Sequence, residues 1–328
     1  MLIDKKWRTL VFSGLPQAVD RPAAPEPEVE FPRLAIRFRV SVMAATPPIV
    51  LTIAGFDPSS GAGITADIKT IAAHECYGVS CITALTVQST QGVRRVQPVN
   101  PETISETLQE LISDLEVAAV HIGMLGTAEV VGVVADFLGR VKLPNVVLDP
   151  ILKSSSGADL LNRAGLQLLI ERLIPLAEMI TPNLDEASVL TRLPVKNLDQ
   201  MSVAVAKLHS LGAANIVITG GDLEKATDLL SFTTSRGIER EVFKAERLTS
   251  NSTHGTGCAF STALACHLAH GRGLPEAVLL AKAYVAAAIA NAHPLGSGVG
   301  PVNHLYRMNR QRRTSAAIAE VETAHSRN

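Results

Sequence analysis

The stretch IVLTIAGFDPSSGAGITAD, residues 49–67, decides the fold. Ile49 to Ala54 form a short, nearly continuous apolar run closed by Gly55, the form of a strand buried on both faces of a parallel sheet. The small and polar residues behind it lead into a helix over about 65–76, a first strand–turn–helix unit. Working outward, strands are expected at CITALTV (81–87), VAAVHIG (117–123), NVVLD (145–149), MITP (179–182) and NIVITGG (215–221). Helices are expected between them, at 101–114, 128–140, 164–177, from Asn183, and at 199–211. This alternation implies a mostly parallel central sheet with helices on both faces, a three-layer α/β/α arrangement. LLSFTT and EREVFKAERL flank Gly237 as a small β-hairpin, and Ala-rich helices at about 257–270 and 275–292 close the domain.

The ends read differently. Residues 1–46, with the proline- and acid-rich PAAPEPEVEFP, read as a disordered leader, and Met43 is a candidate start. Residues 306–328, with the basic RMNRQRR, read as a flexible tail, leaving 47–305 as one folded domain. A formal net charge of −1, spread evenly, argues against nucleic acid or membrane as partner and for a small molecule. The four cysteines lack paired spacing, which suits a reducing cytoplasm, and no apolar run reaches the roughly 18 residues of a spanning helix.

Ligands of an open parallel sheet gather at the carboxyl ends of its strands. Gly61 to Ala66 formally match the dinucleotide fingerprint GxGxxA, but Phe56 to Ser60 intervene and Gln88 follows the second strand where an acid is needed. No Gly-Lys pair occurs for a phosphate-binding P-loop, and no GxSxG for a nucleophile elbow. The glycines of the first turn would instead let backbone approach a flat ligand. Asp67 either aims at that ligand or favours the helix N-terminus electrostatically.

SNSTHGTGCAFSTALACHLAHG (250–271) runs small residues straight into a long helix. Gly255, Thr256 and Gly257 there offer backbone N–H groups to a developing anion, as in phosphoryl transfer. Cys258 shares the positive helix end, which lowers a thiol pKa; it is either a proton acceptor or, like Cys266, a small core residue. Asp149 and Glu186 are candidates for hydrated Mg²⁺. Asn183 and Glu186, three apart, either point into one cleft or cap their helix. His121, inside a strand, reads as a satisfied core side chain, whereas His254 is placed to meet phosphate.

Taken together, AGFDPSSGAGITADIKT, TALTVQSTQGV, HIGMLG, VLDPIL, ITPNLDEA, STHGTGC and GVGPVNH resemble hydroxymethylpyrimidine/phosphomethylpyrimidine kinase, within the ribokinase-like superfamily, over about 48–305. The resemblance implies phosphorylation of 4-amino-5-hydroxymethyl-2-methylpyrimidine, and then of its monophosphate, with ATP and Mg²⁺ in thiamine biosynthesis, by a homodimer. It assigns Gly55, Asp67, Gln88, Met124 and Ile151 to the pyrimidine, Cys258 to the base, and Gly255 to Gly257 to the anion hole. Asp149 and Glu186 fall to the metal, and Asn183, Thr219 and Gly221 to the nucleotide. Thr219 and Ser155 stand where relatives often carry lysine, so Lys153 or Lys69 is left to supply positive charge. The alternatives are a pyridoxal/pyridoxamine kinase and a catalytically idle pyrimidine-binding sensor.

Overall fold

The computed structural model describes residues 46–154 and 157–308, so the expected leader, Ser155 and most of the tail lie outside the described residues. The described part belongs to one compact unit. Its strands are β1 (Ile49–Phe56), β2 (Tyr77–Ser89), β3 (Gly92–Pro98), β4 (Val117–Ile122), β5 (Val146–Leu148), β6 (Met179–Ile180), β7 (Asn215–Ile218), β8 (Ala226–Thr234) and β9 (Gly237–Ala245). They form one sheet in the order β3-β2-β1-β4-β5-β6-β7-β8-β9. Pairing is parallel from β2 through β7 and antiparallel for β3, β8 and β9.

The helices are α1 (Gly63–Ala73), α2 (Pro101–Asp114), α3 (Ala128–Arg140), α4 (Arg163–Leu168), α5 (Leu184–Thr191), α6 (Leu198–Ser210), α7 (Thr256–Ala269) and α8 (Leu274–Ala290). Strict alternation along the central strands puts them on two faces. Leu51, Ile53, Val120, Ile122, Leu148, Ile180, Ile216 and Ile218 pack with residues of α2, α3 and α6. Val50, Ala119, Val147, Met179 and Val217 pack with residues of α7 and α8 on the other face. The three-layer expectation holds, and the strand ends after β1, β4, β5, β6 and β7 share one edge.

Two elements differ from the sequence reading. β3, not expected, pairs with β2 as an edge strand whose Arg94 and Arg95 are exposed, so no apolar periodicity marked it. The single helix expected over 164–177 is instead α4, a π-helical stretch over Leu169–Leu173 and a 3₁₀ turn over Ile174–Leu176. Pro175, lacking an N–H, stands where the helix tightens and ends.

Candidate active site

The turn after β1 is organised by Asp57. Its carboxylate accepts from Ser59 N (2.8 Å), Ser59 Oγ (2.6 Å), Gly61 N (3.2 Å) and Ala62 N (2.9 Å). His254 Nε2 lies 2.9 Å from its Oδ2. Burial pushes the Asp57 carboxyl up, but the His254 and Ser59 hydrogen bonds outweigh it and hold the group below the usual carboxylate range. Sequence reasoning missed Asp57, although an aspartate ahead of Pro-Ser-Ser-Gly is a known turn former that binds backbone N–H groups a few residues on.

The glycines of this turn allow close loop packing. A Cβ on Gly61 would meet the His254 ring at 2.2 Å, and one on Gly255 would meet the Gly61 carbonyl oxygen at 1.9 Å. Gly255 also holds φ +79° just ahead of α7, a conformation open to glycine. The GTG turn and the first loop are thereby pressed together.

Around them opens a cavity of about 760 Å³. Gly55, Gln88, Met124 and Ile151 line it, and a Cβ on Gly55 would lie 3.1 Å from Met124 Sδ. Asp149, Asn183, Glu186, Thr219, Gly255, Thr256, Gly257 and Cys258 line it as well. Asp149 Oδ2 would be 3.6 Å from a Cβ on Gly257, so the carboxylate faces the GTG amides' turn. Asn183 and Glu186 do both things the sequence left open. They form a capping box, Asn183 N donating to Glu186 Oε2 and Glu186 N to Asn183 Oδ1, each at 2.9 Å, and they also line the cavity.

Asp67 and Gly221 stand off the cavity wall. Asp67 is 0% exposed and absent from the cavity wall. It sits on the buried face of α1 with Ile64 and Ile71, accepting from Thr52 Oγ1 (2.6 Å) and Thr262 Oγ1 (3.0 Å), with His121 Nδ1 at 3.3 Å. His121 Nε2 in turn lies 2.9 Å from Ser261 Oγ, which donates to Asp149 Oδ2 at 3.2 Å. Asp67 and His121 thus form a buried pair off the cavity wall, as a buried carboxylate requires. His121 is the satisfied core residue expected. Gly221 lies off the wall with nothing within 4 Å of its Cβ position.

The electrostatics around Cys258 favour the thiol over the thiolate. Burial first, then the Asp149, Asp67 and Glu186 charges, push it well above its ordinary pKa, against the backbone hydrogen bond from Gly63. Burial also raises Glu186 to about 8, with Asp149 adding to it. Asp149 rises to about 6, chiefly by burial, restrained by His121 and the Ser261 hydrogen bond. Of the lysines left to supply charge, Lys69 donates to the Ser60 carbonyl and is off the wall, while Lys153 stands on the rim, 64% exposed and 3.7 Å from Asp159.

A family model described as phosphomethylpyrimidine kinase matches residues 57–303. The hydroxymethylpyrimidine/phosphomethylpyrimidine kinase of Streptomyces coelicolor is 42% identical over 79% of this chain and 95% of its own length. The thiamine biosynthesis bifunctional protein ThiED of Geobacter sulfurreducens is also 42% identical, over 78% of this chain, which spans 52% of that longer protein. Among solved structures, phosphomethylpyrimidine kinase from Clostridium difficile gives a TM-score of 0.66 at 36% identity, covering 74% of this chain and 99% of the other. The ADP complex of Bacillus subtilis pyridoxal kinase gives 0.72 at 37% identity, covering 80% and 99%.

Proposed function

The chain belongs to the phosphomethylpyrimidine kinase family and is a phosphotransferase, and from that premise we propose that it moves the γ-phosphoryl group of ATP onto the hydroxymethyl oxygen of 4-amino-5-hydroxymethyl-2-methylpyrimidine, and then onto the resulting monophosphate, in thiamine biosynthesis. One observation carries the reading: the GTG turn at the start of α7, the Asp149 carboxylate and the amide of Gln88 all border one cavity. A phosphoryl donor and a small ring with a hydroxymethyl arm fit side by side there.

In this reading Gln88 reads the ring edge, Met124 and Ile151 pack against its faces, and Gly55 leaves room for it. The N–H groups of Gly255, Thr256 and Gly257 stabilise charge on the γ-phosphoryl oxygens during in-line transfer. Cys258 takes the hydroxyl proton as a thiolate, its own thiol proton having first passed to solvent in the cavity that it lines. Asn183 and Thr219 contact the nucleotide. Asp149 and Glu186 suit a divalent cation, because each is a buried carboxyl at the cavity wall and Asp149 raises the proton affinity of Glu186. Bound there, Mg²⁺ would neutralise charge on the ATP oxygens.

The second phosphorylation handles an already anionic substrate with Thr219 in place of a lysine, and is expected to be slower than the first. The described cysteines are free and buried, which supports a cytoplasmic setting, and exposed Leu85 and Val87 on β2 support a homodimer.

Pyridoxal phosphorylation is the second reading, favoured by the 0.72 TM-score to a pyridoxal kinase. ADP release with the hydroxymethylpyrimidine, its monophosphate and pyridoxal in parallel tests all of this. The expected order of kcat/KM is hydroxymethylpyrimidine, then monophosphate, then pyridoxal. Pyridoxal turnover equal to or above that of the pyrimidine reverses the choice, and binding of all three without ADP release marks an idle sensor.

A further inference from the structure

Gln88 does not stand alone at the cavity. Its amide lies between two polar groups, with Nε2 3.2 Å from His254 Nε2 and Oε1 3.1 Å from Thr86 Oγ1. Amide oxygen and nitrogen are equal in size, so the hydrogens around them decide which end is which. In that orientation two conflicts arise. His254 Nε2 also lies 2.9 Å from Asp57 Oδ2, on a carboxylate that otherwise accepts only from N–H and O–H donors. An ionised Asp57 requires a proton on His254 Nε2, whether the ring is neutral or charged, so an amide nitrogen opposite it sets donor against donor. The Thr86 hydroxyl, meanwhile, has one hydrogen and lies 3.0 Å from the Phe56 carbonyl oxygen as well.

Turning the amide by 180° removes both conflicts. The Gln88 carbonyl then accepts from His254 Nε2–H, the Thr86 hydroxyl donates to Phe56 O, and a Gln88 N–H donates to the Thr86 oxygen. We propose that the Asp57–His254 pair fixes the Gln88 amide in this sense and so acts as a specificity determinant, selecting substrates that carry an amino group next to the hydroxymethyl arm.

The selection follows from position. His254 directly precedes Gly255, so the His254 side of Gln88 is the side of the anion hole, where the reacting hydroxymethyl group must lie. In a 4-amino-5-hydroxymethylpyrimidine the amino group is the neighbour of that arm and ring N3 comes next. A carbonyl on the anion-hole side and an N–H on the Thr86 side pair with that amino group and that ring nitrogen. Pyridoxal instead carries an aldehyde oxygen next to its hydroxymethyl arm, which a fixed carbonyl repels. A site that fixes buried polar groups in this way rejects the mismatched ligand strongly, because both partners are left unpaired.

The inference rests on Gln88 reading the ring, and the test separates the two. His254→Leu frees the amide to turn, while His254→Gln puts an amide nitrogen where Nε2 stood. Each is assayed for kcat/KM on the hydroxymethylpyrimidine and on pyridoxal, beside Gln88→Ala. His254→Leu is expected to lower the pyrimidine-to-pyridoxal ratio by about tenfold or more, mainly through KM of the pyrimidine, and His254→Gln to restore most of it. An unchanged ratio in His254→Leu, or equal loss in both variants, overturns the role of the pair. Unaltered pyrimidine kcat/KM in Gln88→Ala overturns the underlying reading of Gln88 instead. A neutron structure of the unsubstituted protein decides independently of any variant's folding: the Gln88 nitrogen on the Thr86 side supports the proposal, and nitrogen on the His254 side overturns it.

Discussion

Helix α7 buries ionisable side chains at both ends, to opposite purposes. Its N-terminal end meets Asp149, Glu186 and Cys258 at a cavity open to ligands. Its C-terminal end meets His74, Tyr284 and its own His267 in a sealed cluster, with ring centroids 4.9 Å apart for His74 and His267 and 4.5 Å for His74 and Tyr284. His74 Nε2 and both ring nitrogens of His267 have no hydrogen-bond partner among the described residues. Burial acts alike at both ends by favouring the uncharged form: it carries Glu186 up to about 8, and His74 and His267 down to about 4 and about 3. At the sealed end neutral rings packed edge to face are the final state. At the open end the same penalty leaves carboxyls whose charge an arriving cation can satisfy. A buried titratable group points to chemistry where it borders space that a ligand can enter, and to packing where it does not.

The sharpest break of that contrast is Asp149→Asn. At the open end it is expected to lower kcat on the hydroxymethylpyrimidine on the order of 10³-fold, measured by ADP release, without lowering the thermal midpoint. Near-normal turnover would remove Asp149 from the site. Gly257→Ala follows. Its Cβ would be 3.6 Å from Asp149 Oδ2, an ordinary contact that the fold tolerates, yet the methyl group intrudes on the anion hole. A loss of about 10²-fold in kcat is expected.

The sealed end predicts stability, not rate. His74 and His304, the latter joined to the cluster by the Tyr284 hydroxyl that donates to its carbonyl oxygen at 2.8 Å, have folded pKa values lowered by burial to about 4. Between the unfolded value of about 6.5 and that folded value the unfolded chain binds more protons. Stability attributable to these rings is therefore full above about pH 6.5 and falls as pH drops toward 4, by roughly 3 kcal/mol for each ring. Urea denaturation across that window checks it, and His74→Phe should flatten the pH dependence if the variant's stability at pH 7.5 is retained. An unaltered slope would place the acid sensitivity elsewhere. The smallest effect concerns the nucleotide wall, where Thr219→Lys is expected to raise kcat/KM on the monophosphate by about fivefold while leaving the first step nearly unchanged.

The alternation read outward from residues 49–67 located every parallel strand, because continuous apolar runs between helical segments are written locally. The GTG turn was legible for the same reason, as glycines beside a helix start. What escaped depended on groups far apart in the chain. The direction of the Cys258 shift is set by burial and by Asp149, Asp67 and Glu186, which come from other elements. The burial of Asp67 did have a signal: its spacing from Ile64 and Ile71 puts it on the apolar face of α1, turned to the core. The pairing of His254 with Asp57 spans 197 positions and has no local signature.

The claim that phosphoryl transfer at the open end of α7 hands the hydroxyl proton to Cys258 is tested most directly by single-turnover phosphorylation of the hydroxymethylpyrimidine in Cys258→Ala. With an unchanged melting temperature, the rate is expected to fall on the order of 10²-fold or more; a rate within threefold of the unsubstituted enzyme, roughly 0.7 kcal/mol in barrier height, would contradict it.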